Sequence, residues 1–275
     1  MDSQLTSVVV SFMTGVVTGA LVTYWRHWLA RQRETEDRKF QKAQERERVR
    51  RDHYARALEY RKTRASLRGC DLSGQDLTGL YLAKADLQGA SLSKADLSNT
   101  TLEEANLIGA NLQEADLRRA NLQKAALGDA NLQAAVLQSA RLNGASLSGA
   151  NLQGADLSWA ELKGGNLQWA SLQKAVLAGA NLKGANLRDA NLEQADLVDG
   201  NLAEADVAEA RMHLANLRQA NLKEANLTGT TLRSANLEGA NLKEANLEGA
   251  QLRGARLDDK TLMPRGWEDA VASKP

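Results

Sequence analysis

The sequence predicts an all-β solenoid, a four-sided coil of short strands about ten coils tall, built on a period of five residues. Three observations predict it. Leucine stands at every fifth position from Leu67 to Leu262, forty positions in one phase, replaced only by Val207 and Met212. Two residues before these positions, thirty-two of the forty residues are Ala. One residue before, twenty-four are Asn or Asp. Self-similarity at a fixed period over this length is the signature of a repeat architecture.

Period five excludes the simpler elements. A helix advances about 100° per residue, so every fifth leucine would smear around its surface. A straight strand alternates faces, and an odd repeat would throw successive leucines to opposite sides. The pattern closes only if the chain turns a corner in each repeat, always the same way. Four corners of about a right angle return it above its start, so one coil takes about twenty residues. Coils about 4.8 Å apart then give a column roughly 50 Å tall.

In each repeat the Leu, and the Ala two before it, point inward, and the other three residues face water. Each buried Leu contributes about 1.5–3 kcal/mol. Ala suits the second inward position because the interior has no room for more. Gly165 and Gly200 are expected to leave small voids there, while Gln75, Leu80 and Lys260 depart from the rule near the two ends. Asn and Asp are expected at the corners, where they tolerate tight turns and bond nearby backbone groups. Gly, as at Gly149, Gly154 and Gly164, favours the exposed last position of the repeat.

The stretches Ala-Asn-Leu-Gln-Glu at 110–114 and Ala-Asp-Leu-Gln-Gly at 85–89 resemble the consensus of the pentapeptide-repeat family. The resemblance runs over 65–263. It implies the family's right-handed quadrilateral β-helix, with Leu central on each face and Ala packed beneath; the handedness rests on the resemblance.

The preceding residues divide into three modules. Residues 1–4 form a short tail. Residues 5–25 carry no charge and as a helix would measure about 31 Å, close to the roughly 30 Å of a bilayer's hydrocarbon. Tyr24, Trp25 and Trp28 sit at the expected interface, and Arg26, Arg31 and Arg33 follow. A transmembrane helix with the repeats on the cytoplasmic side is the reading; a cleaved signal peptide fits less well, since Met1-Asp2-Ser3-Gln4 has no basic residue. Ser11, Gly15 and Gly19 recur every four residues, a spacing that lets two such helices pair into a homodimer.

Residues 26–64 carry fourteen Arg or Lys against seven acids, a net of +7. Without Gly or Pro, they predict a continuous charged helix, either a solvated spacer or a segment whose Arg46, Arg48, Arg50 and Arg51 lie against anionic lipid. Its last turns, around Tyr54, Leu58 and Tyr60, are expected to fold over the first coil, whose open edge would otherwise pair with other chains. At the other end, residues 264–275 form a cap and tail, with Trp267 over the last coil.

No catalytic chemistry is legible. Cys70 occupies an inward small-residue position, and His27, His53 and His213 fall in three different segments, so no metal site or nucleophile–base pair assembles. No cofactor or small-molecule substrate is expected. Residues twenty apart share a face, which gives four faces: A (65–69 and onward), B (70–74), C (75–79) and D (80–84). Their net charges are −4, +2, −5 and +2.

Trp159 on face C, Trp169 on face A, and His213 with Leu214 on face B are the candidate interaction residues. The expected function is a membrane-anchored, non-catalytic scaffold presenting the column to an unidentified protein. The alternative, carried by the resemblance, is a DNA mimic that binds gyrase. A net of −5 over 65–275 is weak for duplex mimicry, and nucleic acid itself is a poor partner for such a surface.

Overall fold

A computed structural model of the chain describes residues 31, 35, 36 and 38–267. The expected spanning segment 5–25, with Ser11, Gly15 and Gly19, lies outside the described residues. Among the described residues no helix is long and apolar enough to cross a membrane. The chain forms two compact units, Met1–Arg51 and Asp52–Pro275. Residues 38–63 are helical (α1). In the first unit this helix is almost wholly solvated and laced by i,i+3 pairs, Lys39–Glu36 at 3.0 Å, Arg48–Glu45 at 2.8 Å and Arg50–Glu47 at 3.7 Å.

In the second unit the chain pairs with itself in parallel, each repeat bridging the one twenty residues on, from Asp71↔Ser91 to Asn236↔Arg256. The coil of twenty is therefore the true period, with four repeats per turn. From Leu67 to Leu247 the central residues are buried, and the Ala positions beside them form the second inward column.

Backbone bookkeeping explains the repeat residue by residue. The Asp/Asn position sends its N–H to the coil below, as Ser91 does to Cys70 O at 2.9 Å. The leucine N–H goes to the coil above, Leu72 to Ser91 O at 2.7 Å, and so does the last residue's, Gly74 to Ser93 O at 2.8 Å. The next Ala-position N–H closes a turn, Gln75 to Leu72 O at 3.2 Å. The fifth N–H, just after the leucine, is accepted by the Asp or Asn side chain, as Asp71 Oδ1 takes it from Ser73 at 3.0 Å. Asn and Asp are thus selected as short acceptors, and Asn adds a rung to the neighbouring coil: Asn131 Nδ2 donates to Asn111 Oδ1, and Asn151 to Asn131, both at 3.2 Å.

The left-handed conformation of the corner falls elsewhere than expected. It sits on the last residue of every repeat, from Arg64 to Gly254, with φ between +54° and +75°. The Asn and Asp that precede the leucine do not adopt it; it is the preference for Gly at the last position that the turn explains.

Gly165 and Gly200 stand at inward positions where a methyl would fit closely against the carbonyl of their own turn. A methyl at 165 would sit 3.1 Å from Leu162 O, and at 200 3.0 Å from Leu197 O. Two inward positions hold threonine without a buried orphan: Thr100 Oγ1 donates to Leu77 O and Thr230 Oγ1 to Val207 O, each at 2.9 Å.

The N-terminal edge is closed by side chains of α1 in place of a missing coil. His53 Nδ1 accepts the Asp71 N–H at 2.9 Å, and Tyr54 donates to Asp76 O at 3.0 Å. Ala83 O accepts from Tyr60 Oη at 3.3 Å and Arg64 Nη1 at 3.2 Å. Ala57 and Tyr60 join the core, but Leu58 does not: it is 49% exposed, because it lies on the outer side of the helix turn that buries its neighbours.

The C-terminal end departs from the sequence phase. The bridge Asn241↔Leu262 spans twenty-one residues, so the last repeat holds one extra. An unbroken register would have turned Lys260 inward, burying an unpaired ammonium. Instead the turn runs from Asp258 to Thr261, whose N–H bonds Asp258 O at 3.2 Å. Thr261 takes the inward position and donates to Leu237 O at 3.0 Å, as Thr100 and Thr230 do lower down. Leu262, at the fortieth in-phase position, consequently faces outward at 42% exposure, and Leu257 is 37% exposed. Met263 and Trp267 pack against the end of the core, Trp267 as expected of a cap.

Candidate protein-interaction faces

The four faces follow from the coil of twenty, and the structure sorts the candidate residues among them without bringing them together. Trp159 and Trp169 lie on faces C and A, and His213 and Leu214 on face B. Trp159, Trp169 and Leu214 each occupy the last position of their repeat, and there the structure shows what spacing did not, a left-handed backbone with φ of +61°, +58° and +59°. A bulky side chain at positive φ costs on the order of 1 kcal/mol or more, and these three are also exposed, Trp159 at 67%.

His213 is tied down rather than free. Its Nδ1 lies 2.9 Å from Arg233 O, and since a carbonyl only accepts, that nitrogen carries the hydrogen. Nearby, Arg211 pairs with Glu193 at 2.5 Å.

Trp159 has a defined seat. A Cβ built on Gly179, in the coil above, would meet the indole ring at 2.5 Å, so the ring leans over that glycine. Gly179 is at φ +66°. Gly179→Ala therefore forces both a left-handed alanine and a displaced ring, and is expected to lower the unfolding free energy by about 1–2 kcal/mol. Denaturant titration of the two chains reads it.

Beside this ring the structure gathers residues not singled out from the sequence. Val176 and Ala178 share the repeat of Gly179, and Val198 lies one coil further on the same face, all partly exposed. The signal was present: Ala175-Val176-Leu177-Ala178-Gly179 is the only repeat with no polar side chain at its three outward positions.

Face C also carries the acidic column. Asp76, Asp96 and Asp116 are bridged coil to coil, and Asp156 and Asp196 flank Val176 in the same column. The carboxyls of Asp76 and Asp96 are held below the usual range by hydrogen bonds from the hydroxyls and N–H groups of Thr78 and Ser98. Burial opposes ionisation of Asp156, but hydrogen bonds from Ser158 and Gln138 outweigh it and hold it low as well. Depressed folded values stabilise fully above the ordinary aspartate pKa of about 3.9 and lose that stability as pH falls through the lowered values. The urea midpoint is expected to hold steady from neutral pH to about pH 5 and to drop below about pH 4. Asp116 is engaged by Arg118, whose guanidinium it holds up in pKa.

Among the described residues no group of three His, Cys, Asp or Glu side chains is placed to hold a metal ion. Cys70 is buried, and burial pushes its thiol up.

The family described as Pentapeptide repeats matches residues 65–103, 95–133, 130–168, 166–202, 195–233 and 220–259. No curated protein matches the chain. Among solved structures, the chain is similar to HetL, a pentapeptide repeat protein involved in heterocyst differentiation regulation from the cyanobacterium Nostoc sp. strain PCC 7120. That match is 37% identical, covers 68% of this chain and 85% of HetL, and has a TM-score of 0.46. It is similar to the pentapeptide repeat protein Rfr23 from the cyanobacterium Cyanothece 51142, 44% identical over 34% of this chain and 63% of that one, TM-score 0.34. It is also similar to QnrB1, a plasmid-mediated fluoroquinolone resistance protein, at 19% identity over 69% of this chain and 94% of that one, TM-score 0.45.

Proposed function

This chain belongs to the pentapeptide-repeat family, and on that premise we propose that it is a non-catalytic scaffold, anchored to a membrane by residues 5–25, whose column presents flat faces to a protein partner. Members of the family fold as right-handed quadrilateral β-helices. The observation that carries the reading is the uninterrupted stack from Asp71↔Ser91 to Asn236↔Arg256, which spends nearly every residue on its own support. What is left for function is the outward residues, and in a solenoid a change in one repeat reaches only the repeats it touches.

The anchor is supported by twenty-one uncharged residues followed by Arg26, Arg31 and Arg33. Arg46 and Arg51 on α1 are exposed and suited to anionic lipid, whereas Arg48 and Arg50 are already paired to Glu45 and Glu47. Ser11, Gly15 and Gly19 would let two anchors pair. Duplex mimicry has less support, because faces B and D each carry a net +2 where a duplex is negative all round.

Affinity capture with the full chain from solubilised membranes tests the reading. A stoichiometric protein partner in the membrane fraction is the expected result. Recovery of the chain wholly in the carbonate-soluble fraction would remove the anchor, and inhibition of gyrase supercoiling by the purified chain would replace the scaffold with the mimic. Cross-linking of the intact chain, with Gly15→Leu as the comparison, tests anchor pairing.

A further inference from the structure

Each outward column of face C has its own usual residues, which makes departures visible. The column of Val176 otherwise runs Asp76, Asp96, Asp116, Val136, Asp156, Asp196, Asn216, Asn236 and Arg256. The column of Trp159 runs Gly79, Asn99, Arg119, Ser139, Gly179, Asp199, Gln219 and Gly239. Over adjoining coils these columns turn apolar, at Trp159 in one coil and Val176 in the next, and Ala178 and Val198 complete the change in the column between them. The result is an apolar window of three coils, about 10 Å along the axis: Trp159 below, Val176 and Ala178 in the middle, Val198 above.

Folding does not explain the window. Trp159 gains little burial and sits at a φ of +61° that glycine would hold without strain. Its ring leans on Gly179, a position where any side chain would collide with it. Val176 replaces the usual Asp or Asn and so supplies no side-chain acceptor for the Ala178 N–H, leaving a backbone donor beside the apolar surface. An aromatic ring held in place, aliphatic neighbours and a spare donor are the makings of a binding hot spot.

The surroundings fix the sign of the partner. Asp156 and Asp196 are bridged to Val176 from below and above, and Asp199 stands beside Val198. Among the described residues none of the three carboxylates forms an ion pair: Asp156 accepts from Ser158 and from Gln138 Nε2 at 2.6 Å, and Asp196 from Asn216 Nδ2 at 3.0 Å. Arg218, next in the column above Val198, bounds the window on that side. Anionic lipid and nucleic acid are repelled by this border.

We infer that the window docks a segment of a protein partner in which an aliphatic or aromatic side chain lies between Lys or Arg residues, the apolar group meeting Trp159, Val176 and Val198 and the cations meeting Asp156, Asp196 and Asp199. This rests on the scaffold reading and narrows it to one patch and one partner chemistry.

The test uses the full chain in nanodiscs of zwitterionic phosphatidylcholine and a phage-displayed dodecapeptide library, counter-selected on the Val176→Asn chain. Peptides with an aliphatic or aromatic residue flanked by Lys or Arg are the expected product. An enriched peptide, synthesised, is expected to lose at least about tenfold in affinity on Trp159→Gly and on Val176→Asn, with Trp169→Gly on face A leaving it unchanged. Both substitutions install residues the fold already uses in those columns, Gly179 and Asn216, so folding is retained; thermal melts verify it. Val176→Asp separates the forces, since a purely electrostatic contact strengthens with the added charge and the inferred one weakens. Absence of enrichment, selection of acidic peptides, or tighter binding to Val176→Asp overturns the inference. Peptides that bind every variant equally overturn the window while leaving the scaffold standing, and only failure of the membrane capture removes both.

Discussion

Replacing Leu157 with alanine is expected to cost about 3 kcal/mol of unfolding free energy. Leu157 is fully buried, on face C between Leu137 and Leu177 of the adjoining coils, and its backbone is held by hydrogen bonds to the coil above, Leu157 N–H to Val176 O at 2.7 Å. The neighbouring coils cannot collapse into the gap, because their spacing is set by the backbone ladder rather than by the side chains. A cavity therefore persists, and with it the cavity term added to the lost transfer energy. Leu257→Ala is the matched control. It stands at the same phase in the sequence, yet it is already 37% exposed beside the irregular turn, and its loss is expected to cost under about 1 kcal/mol. Denaturant unfolding of the two chains compares them; equal losses would show the last coil to be as closed as the rest.

Tyr60→Ala is expected to cost about 3 kcal/mol and to promote self-association. Tyr60 is 4% exposed, packs into the core cluster and bonds Ala83 O, and Arg64 stacks on its ring at 5.3 Å. Its removal takes a large aromatic from the core and uncovers the first coil, whose parallel edge is a template for another chain. Tyr60→Phe keeps the ring and loses one long hydrogen bond, so it is expected to cost under about 1 kcal/mol and to leave the chain no more associated than before. Unfolding curves and light scattering on the three chains read both effects. A Tyr60→Ala chain as stable as Tyr60→Phe would mean that His53, Tyr54 and Ala57 close the edge without it.

Much of the architecture was legible because the repeat is local and redundant. Leu87, Ala90 and Asn111 each state in one residue type the environment their position has in every coil, so side, depth and period follow from forty copies of the same constraint. The inward threonines were not legible as a class: only the structure shows their acceptors in the coil below, Leu77 O for Thr100 and Val207 O for Thr230. The candidate surface was half legible. Trp159 stands out in any reading of the sequence, but its alliance with Gly179 and Val198 joins residues twenty and thirty-nine positions away, and needs the coil to be closed before it exists. Leu58 failed for a smaller reason: a helix turn decides which of Ala57, Leu58 and Tyr60 meet the core, and the apolar stripe of α1 is too thin to fix that rotation.

The sequence by itself determined the four-sided coil, the inward Leu and Ala columns, and the separation of a basic amino-terminal module from an acidic column, because a period repeated forty times leaves one way to bury its leucines. Only the tertiary structure decided where that period ends. Past Arg256 the choice lay between keeping Leu262 in phase and keeping the Lys260 ammonium out of an apolar interior. The charge costs more to bury than the leucine costs to expose, so the chain inserts a residue and turns the leucine of its fortieth repeat to water.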